Sequence, residues 1–387
     1  MRHIAQTSAI LRIDLVKRFK SANDQAAYIF YLGADRRANV AVALAGILVC
    51  LMGSTPALAQ DQSVLSHGLS YMTAFGPKNY AVVTLLYGVI VISLVVVTII
   101  GILVLAGSLI RGVRVAPAAI ATVQVERRGS GLPFVYTAVA ISFLVLLASA
   151  VWNYVVLAHI AGPPANAAMT IRVTGHQWWW EIAYADKDVS RTFTTANEIR
   201  IPIGKPIRIE LGTVDVIHSF WVPALTGKMD TIPGQRNVTW IQADKPGVYR
   251  GQCTEYCGQQ HAHMGFIVLA QSPTEFETWR NHQLEPPRSP TSEEGIRHLA
   301  TAQSAFMRHC AVCHTVRGTA ANGKVGPDLS HLMQRQTIAA ATLPNSIGAL
   351  SGWISNPQHI KPGNLMPTLD ISAADLNGIR DFLQTLK

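Results

Sequence analysis

Charge is sparse in this chain. Only 14% of its 387 residues are Asp, Glu, Lys or Arg, against 49% hydrophobic, and the apolar residues concentrate in the first 160 positions. That imbalance predicts a membrane-attached front half and a soluble back half, with room for two or three domains. The formal charge of +9 says little about partners, because residues 1–59 alone hold seven Lys/Arg against three Asp/Glu. Residues 161–284 balance at 11 against 11, and 291–387 at eight against six. No Lys/Arg cluster is present, so nothing points to nucleic acid. Cysteine is also scarce. Of five, Cys50 lies in an apolar run, and the others form two pairs, Cys253/Cys257 and Cys310/Cys313, each with histidine nearby. Ligand and cofactor cysteines are distributed that way; a scattered disulfide framework is not.

Three apolar runs follow one another. The first, residues 38–60, comes after Arg36-Arg37 and ends in Ala57-Leu58-Ala59. A basic flank, an apolar core of about fifteen residues and a small-x-small end predict a signal peptide cleaved before Gln60. A short transmembrane anchor is the other reading, and residues 1–35 make an unusually long leader. Cys50 follows Val49 rather than a small residue, so it fits no lipoprotein box and is expected to leave with the signal. The second and third runs, Tyr80–Ile110 and Phe134–Ile160, hold no charge apart from His159. Each exceeds the roughly 20 residues that cross a bilayer. Between them Arg111, Arg114, Arg127 and Arg128 face the single acid Glu126. By the positive-inside rule that loop is cytoplasmic, which puts everything after Ala161 on the outer face.

From Met169 the pattern becomes short alternating runs. MTIRVTG, EIRIPIG, PIRIELG and RNVTWIQ read as strands of a small β-sandwich or barrel. Its loops include RGQCTEYCGQQHAHM, Arg250–Met264. A disulfide is possible outside the membrane, but redox pairing does not need His261 and Met264 beside it. Zinc has little use for a thioether. Thiolate, imidazole and thioether together point to copper. A single blue copper takes one Cys; two bridging sulfurs shared by two coppers use this set better. Each copper then needs an imidazole, one from the loop and one from upstream, where DVIHSFWVP offers His218.

Cys253-x-x-x-Cys257-x-x-x-His261-x-x-Met264 with His218 upstream resembles the binuclear CuA site of subunit II of haem–copper cytochrome c oxidases. GHQWWW, HSFWVPAL, GK-x-D-x-IPG and PGVYRGQC resemble the same family, and the likeness spans roughly residues 70–280. It implies a cupredoxin-like Greek-key domain with two coppers. Cys253 and Cys257 would bridge them, His218 and His261 would each terminate one, and Met264 and the Glu255 carbonyl would be weak axial ligands. The Glu255 carboxylate would help hold a magnesium shared with subunit I. Trp178 matches the residue through which electrons arrive. His263 fits the spacing poorly and reads as a solvated loop histidine, and His176 as structural. Trp179 and Trp180 alternate in a strand, so one is core. Asp215 is either an interface residue or a loop cap.

Residues 283–295, rich in Pro, Ser and Glu, read as a linker. Beyond it, a helical pattern runs into Cys310-Ala-Val-Cys313-His314, the haem c attachment motif, with two thioether cysteines and an axial histidine. Zinc and a thioredoxin-like pair are rivals, but the outer face suits covalent haem. GPDL at 326–329 and KPGNLMP at 361–367 resemble class I cytochromes c, which makes Met366 the sixth ligand; Met307 and Met333 are the alternatives, on helical segments where packing is the default. Met/His ligation raises a haem potential relative to bis-His, which suits a donor to copper. The last segment, AADLNGIRDFLQTL, reads as an amphipathic helix closing the small fold.

The expected architecture is therefore a multi-domain membrane protein. A leader and signal over 1–59 precede a two-helix hairpin over 60–160, with helices at about 80–110 and 134–160. An all-β cupredoxin-like domain follows over 161–282, a linker over 283–295, and an all-α class I cytochrome c domain over 296–387. The whole resembles subunit II of a caa-type oxidase. That resemblance implies a bacterial inner membrane location with the C-terminal domains on the periplasmic side. It implies subunit I, subunit III and lipid as partners, with a cytochrome c or a quinol-oxidising complex as donor. Electrons would pass from haem c to CuA to the haems of subunit I, where dioxygen is reduced to water with proton translocation. The copper subunit of a nitric oxide reductase and a stand-alone tethered electron carrier are the alternatives. One feature departs from the family: its second helix often begins near a Glu that serves a proton channel, and here it opens GLPFVYTAV.

Overall fold

The computed structural model describes residues 68–111, 131–287 and 292–387. The expected signal segment with Cys50, the loop residues Arg114, Glu126, Arg127 and Arg128, and residues 288–291 of the expected linker lie outside the described residues.

Two helices come first, α1 (Pro77–Arg111) and α2 (Leu132–Ile160). Both are long and apolar enough to cross a membrane, over 33 and 29 residues. At about 1.5 Å per residue each exceeds a hydrocarbon core of roughly 30 Å. They meet at Gly88, where a Cβ would fall 2.3 Å from the Trp152 ring. The first turn of α2 holds no acid, in line with the departure noted above. The start of α1 and the end of α2 are fastened to the next domain. Asn79 Nδ2 donates to the Pro223 carbonyl at 2.7 Å, Lys78 Nζ to Thr239 Oγ1 at 2.6 Å, and Trp240 Nε1 to the Ile160 carbonyl at 3.1 Å.

The next domain is a sandwich of two five-stranded sheets, ordered β3-β2-β1-β5-β8 and β4-β10-β9-β6-β7. The first holds β1 (Met169–His176), β2 (Trp179–Ala185), β3 (Phe193–Ala196), β5 (Ile207–Thr213) and β8 (Asn237–Ile241). The second holds β4 (Glu198–Pro202), β6 (His218–Trp221), β7 (Met229–Thr231), β9 (Gly247–Cys253) and β10 (Gly265–Gln271). The four runs read as strands from alternation lie on β1, β4, β5 and β8. Alternation places Ile171, Val173, Ile182, Ile209 and Leu211 inward from one sheet and Ile199, Ile201, Phe220, Tyr249 and Phe266 from the other. Each such buried isoleucine contributes roughly 1.5–3 kcal/mol. Trp180 is the fully buried member of the tryptophan run, and Trp179 is half-buried against His176 at 4.2 Å.

A helix not expected from the sequence, α3 (Pro273–Leu284), closes the sandwich. Its signal was present, since Ser272 and Glu275 form a reciprocal capping box. Phe276 and Trp279 on α3 pack into the core, Trp279 edge-on to Tyr184. The expected linker thus has helical ends: Gln283 and Leu284 finish α3, and Glu293–Gly295 open the next helix.

The C-terminal domain is built from α4 (Glu293–His309), α5 (Ile347–Ser355), α6 (Pro357–Ile360) and α7 (Ala373–Gln384), with a small hairpin of β11 (Thr337–Ile338) and β12 (Leu343–Pro344). Helices α4 and α7 cross where small residues allow it, a Cβ on Gly378 falling 3.3 Å from Ala305 Cβ. Phe306 and Phe382 pack beside this crossing at 4.9 Å.

Close packing of the sandwich makes a simple prediction. A Cβ on Gly251 would fall 2.3 Å from the Phe266 ring, which itself stacks on Phe220. Gly251→Ala should therefore cost about 1–3 kcal/mol of overpacking. The expected result is a lower denaturant midpoint at unchanged slope.

Candidate metal centre

Strands β9 and β10 pair antiparallel and close the stem of the Cys253–Met264 loop, Gln252 opposite Gly265. The Cys253 amide donates to the Met264 carbonyl at 3.0 Å, so the first and last members of the motif are tied together. Strand β6 lies on the other side of β9, with Phe220 opposite Cys253, which brings His218 to the same end of the sandwich.

The structure gathers the predicted copper residues. The Cys253 and Cys257 sulfurs lie 3.8 Å apart and unbonded, both buried. One ligand atom each from His218, Cys253 and Cys257 falls within 4.8 Å of the others. His261 Nδ1 stands 3.6 Å from Cys257 Sγ, and Met264 Sδ 3.8 Å from the same sulfur. Cys253 Sγ lies 3.3 Å from the Glu255 carbonyl. The Glu255 carboxylate is partly exposed and sits 3.8 Å from Lys228 Nζ. His263 is exposed and its Nδ1 meets Gln260 Oε1 at 2.8 Å, the placement of a loop histidine.

The chemistry of this set suits copper. Two sulfurs, two imidazoles and a thioether in a buried pocket form a soft donor set. One imidazole atom is already free: His218 Nε2 bonds Asp215 Oδ1 at 2.8 Å, which leaves Nδ1 buried without a hydrogen-bond partner. A metal ion would satisfy it. Proton affinities are arranged to match. The hydrogen bond from Cys257 holds Cys253 well below the ordinary thiol range, against the opposing effect of burial. The same contact, with burial, pushes Cys257 up. Burial alone would lower His218, but its contacts with Cys253 and Asp215 outweigh it and raise the group. Asp215 is held low: burial opposes this, and hydrogen bonds from His218, Gln177 and Val216 prevail.

Asp215 is thus the brace of His218, a role its sequence position did not reveal; the spacing Asp-x-x-His was its only signal. Two further residues escaped the sequence reading. Gly175 lies under His218, and a Cβ there would fall 2.6 Å from the ring. Gln177 donates to the Cys257 carbonyl at 2.8 Å, beside Trp178 Nε1, which reaches the same oxygen at 2.9 Å. Trp178 is buried and so touches the loop directly.

The second motif sits at the end of α4. Cys310 and Cys313 carry free thiols and are half-buried. Burial, with Cys313 beside it, pushes Cys310 up to about 12. His314 Nδ1 donates to the Pro327 carbonyl at 2.8 Å, an arrangement that fixes the tautomer and leaves Nε2 to a metal. Gly326 allows that closeness, since a Cβ would fall 2.5 Å from the ring. Met307 and Met333 pack against the helical core. Met366 lies in the loop after α6, its amide bonded to Asn364 Oδ1 and its carbonyl to Gln358 Nε2. These residues fit a haem with a histidine on one face.

An all-β domain with a paired-sulfur site, followed by a helical domain with a C-x-x-C-H turn, defines a class of two-centre electron-transfer proteins. Comparison with known proteins is more specific. Residues 169–271 match the periplasmic domain of cytochrome c oxidase subunit II, and residues 299–387 match cytochrome c. The chain carries a subunit II periplasmic domain with a cytochrome c domain after it, and these domains imply copper and haem. The cytochrome c oxidase subunit 2 of Alkalihalophilus pseudofirmus is 38% identical over 221 residues, 56% of this chain and 61% of the relative. That of Bacillus subtilis is 27% identical over 246 residues, 58% of this chain and 64% of the relative. The chain thus spans about three-fifths of the length of these relatives. The crystallised periplasmic domain of subunit II of cytochrome oxidase from Bradyrhizobium japonicum is 35% identical, covering 32% of this chain and 96% of that one, with a TM-score of 0.29.

The brace on His218 predicts a measurable loss. Removing a partner of a metal-binding histidine typically costs about 10–100-fold in metal affinity. Asp215→Ala should weaken copper retention by that factor in competition with a chelator, with the far-ultraviolet spectrum unchanged.

Proposed function

We propose that the chain is subunit II of a haem–copper terminal oxidase that carries its own electron donor. Cys253 and Cys257 would be the shared sulfur ligands of two coppers, with His218 and His261 each supplying an imidazole and Met264 and the Glu255 carbonyl completing the set. Cys310 and Cys313 would attach a haem, and His314 and Met366 would ligate its iron. Bound there, the copper pair and the haem supply reversible one-electron transfer. The residues of the chain do the rest. Asp215 and Gly175 hold the His218 ring in one orientation. The two sheets keep water from the sulfurs. Trp178 receives electrons from the haem domain and delivers them to the loop through Cys257.

The observation that carries this reading is one chain of contacts. Trp178 Nε1 bonds the Cys257 carbonyl, and the Trp178 carbonyl accepts from Lys361, five residues before Met366. The sulfur loop and the segment that leads into Met366 therefore both touch Trp178. Tethering turns donor binding into an internal encounter at high effective concentration. Dioxygen reduction and proton translocation belong to subunit I, with Glu255 contributing to a magnesium at the shared face. The length and apolarity of α1 and α2 support a bacterial inner-membrane location, with the metal domains on the periplasmic side; subunit III and a cytochrome c or quinol-oxidising complex complete the set of partners.

Metal and haem analysis tests the reading directly. The expected result is two coppers and one haem per chain, with a mixed-valence paramagnetic resonance signal and near-infrared absorbance that Cys253→Ser abolishes. A lone type-one copper signal would refute it. In the purified complex, turnover with nitric oxide but not with dioxygen would assign the chain to a nitric oxide reductase instead.

A further inference from the structure

The cytochrome domain meets the copper domain through a short face with an unusual backbone. Ala339, Ala340 and Ala341 all have positive φ, at 53°, 59° and 56°. Left-handed backbone costs an L-residue roughly 1–2 kcal/mol each, so three in succession persist only where the surroundings hold them. Here each carbonyl has a donor. Ala340 O accepts from the Gly265 amide at 3.1 Å and Ala341 O from Arg250 Nη1 at 3.2 Å, both from the copper domain. Ala339 O accepts from Lys361 Nζ at 3.3 Å.

Lys361 has a second acceptor, the Trp178 carbonyl, at 2.8 Å. It is 3% exposed, and its hydrogen-bond acceptors in the structure are backbone carbonyls. Burial lowers its pKa to about 7, and both the ammonium and the amine have N–H groups for the two carbonyls. The residues after it complete the contact. Pro362 O accepts from Gln260 Nε2 at 2.8 Å, and a Cβ on Gly363 would fall 2.8 Å from Gln259 Oε1. Buried lysines are rare because dehydrating them is costly. A lysine buried between two domains, joining the alanine turn, the Met366 loop and Trp178, is therefore a specific feature of this face.

We infer that Lys361 is a positioning residue that latches the cytochrome domain onto the copper loop and so fixes the geometry of haem-to-copper transfer through Trp178. The inference rests on the functional reading above for the identity of the two centres. The latch itself rests on the contacts alone. Without Lys361 the buried Trp178 carbonyl is left unsatisfied, the part-buried Ala339 carbonyl loses its donor, the left-handed turn keeps two of its three donors, and the face opens more often.

Two amides report that opening. Gly265 N bonds Ala340 O, and Gln336 N bonds Glu198 Oε2 at 2.9 Å, so each bridges the two domains. Amide hydrogen exchange at residue resolution, on the full chain loaded with haem and copper, is the test. Lys361→Met should accelerate exchange at Gly265 and Gln336 by at least about fivefold, the effect of leaving buried acceptors unpaired. Ile267 and Leu329, whose amides bond within their own domains to Asn197 O and Thr315 O, should not change. Lys361→Arg should restore protection, and the internal electron-transfer phase should slow in Lys361→Met in parallel. Unchanged exchange at both bridging amides would overturn the latch. If the internal amides accelerate as well, the variant has unfolded, and Lys361→Gln carries the test: its nitrogen falls one bond short, so the same two amides should accelerate less, and no acceleration again overturns the proposal. Loss of the mixed-valence signal in the unsubstituted chain would sink the functional reading while leaving the exchange result intact.

Discussion

The carbonyl of Cys257 anchors the middle of the sulfur loop. It accepts from Gln177 and from Trp178, and so ties the middle of the sulfur loop to the hinge between β1 and β2. A loop of this length with two cysteines and two histidines has no rigidity of its own. It acquires rigidity from three fixed points: the β9–β10 stem at its ends, the Cys257 carbonyl at its centre, and β6 beside it. A centre that changes charge by one electron benefits from such constraint, because ligands that cannot move leave little to reorganise.

The same constraint explains the placement of the polar groups. Few acids lie near the sulfurs, and Asp215, which does, is turned toward His218 Nε2 rather than toward the sulfur pair. Its charge orients a ligand without competing for the metal. The sandwich supplies the low-dielectric wall, with Trp180, Phe220 and Phe266 packed against one another beneath His218. In that setting the contact between the two sulfurs lowers the proton affinity of Cys253 and raises that of Cys257. The electrostatics, the packing and the donor chemistry favour the same occupant.

How much of this was legible in the sequence depended on the range of the interaction. Strands came from alternation, membrane helices from long uncharged runs, and both cysteine motifs from local spacing, all of which are encoded within a few residues. His218 was reached from stoichiometry, because two metals need two imidazoles. What could not be read was contact between distant segments. Asp215 read as either an interface residue or a loop cap, and nothing in the sequence marked Gly175, until the fold put both against His218. Lys361 stood inside a recognisable haem-loop motif and still gave no sign that it would be buried against Trp178. Helix α3 was missed for a different reason: its apolar face is Phe276 and Trp279 with Leu284 at its end, too small a stripe for periodicity, although its capping box was in plain view.

The near-neutral charge of both soluble domains is consistent with a donor that is already in place. A soluble donor finds its acceptor by long-range attraction, which salt screens within about 10 Å. A tethered donor needs no steering, only a defined resting pose. The face between the domains has the features such a pose requires: backbone carbonyls as acceptors, donors from both sides, and a strained alanine turn two of whose carbonyls, Ala340 and Ala341, take their donors from the other domain. Those two partners are gained on docking, while the Ala339 carbonyl is held by Lys361 of the same domain. A lysine is well suited to closing such a face. Its flexible stem reaches two carbonyls from one position, and its burial is tolerable only while both are within reach.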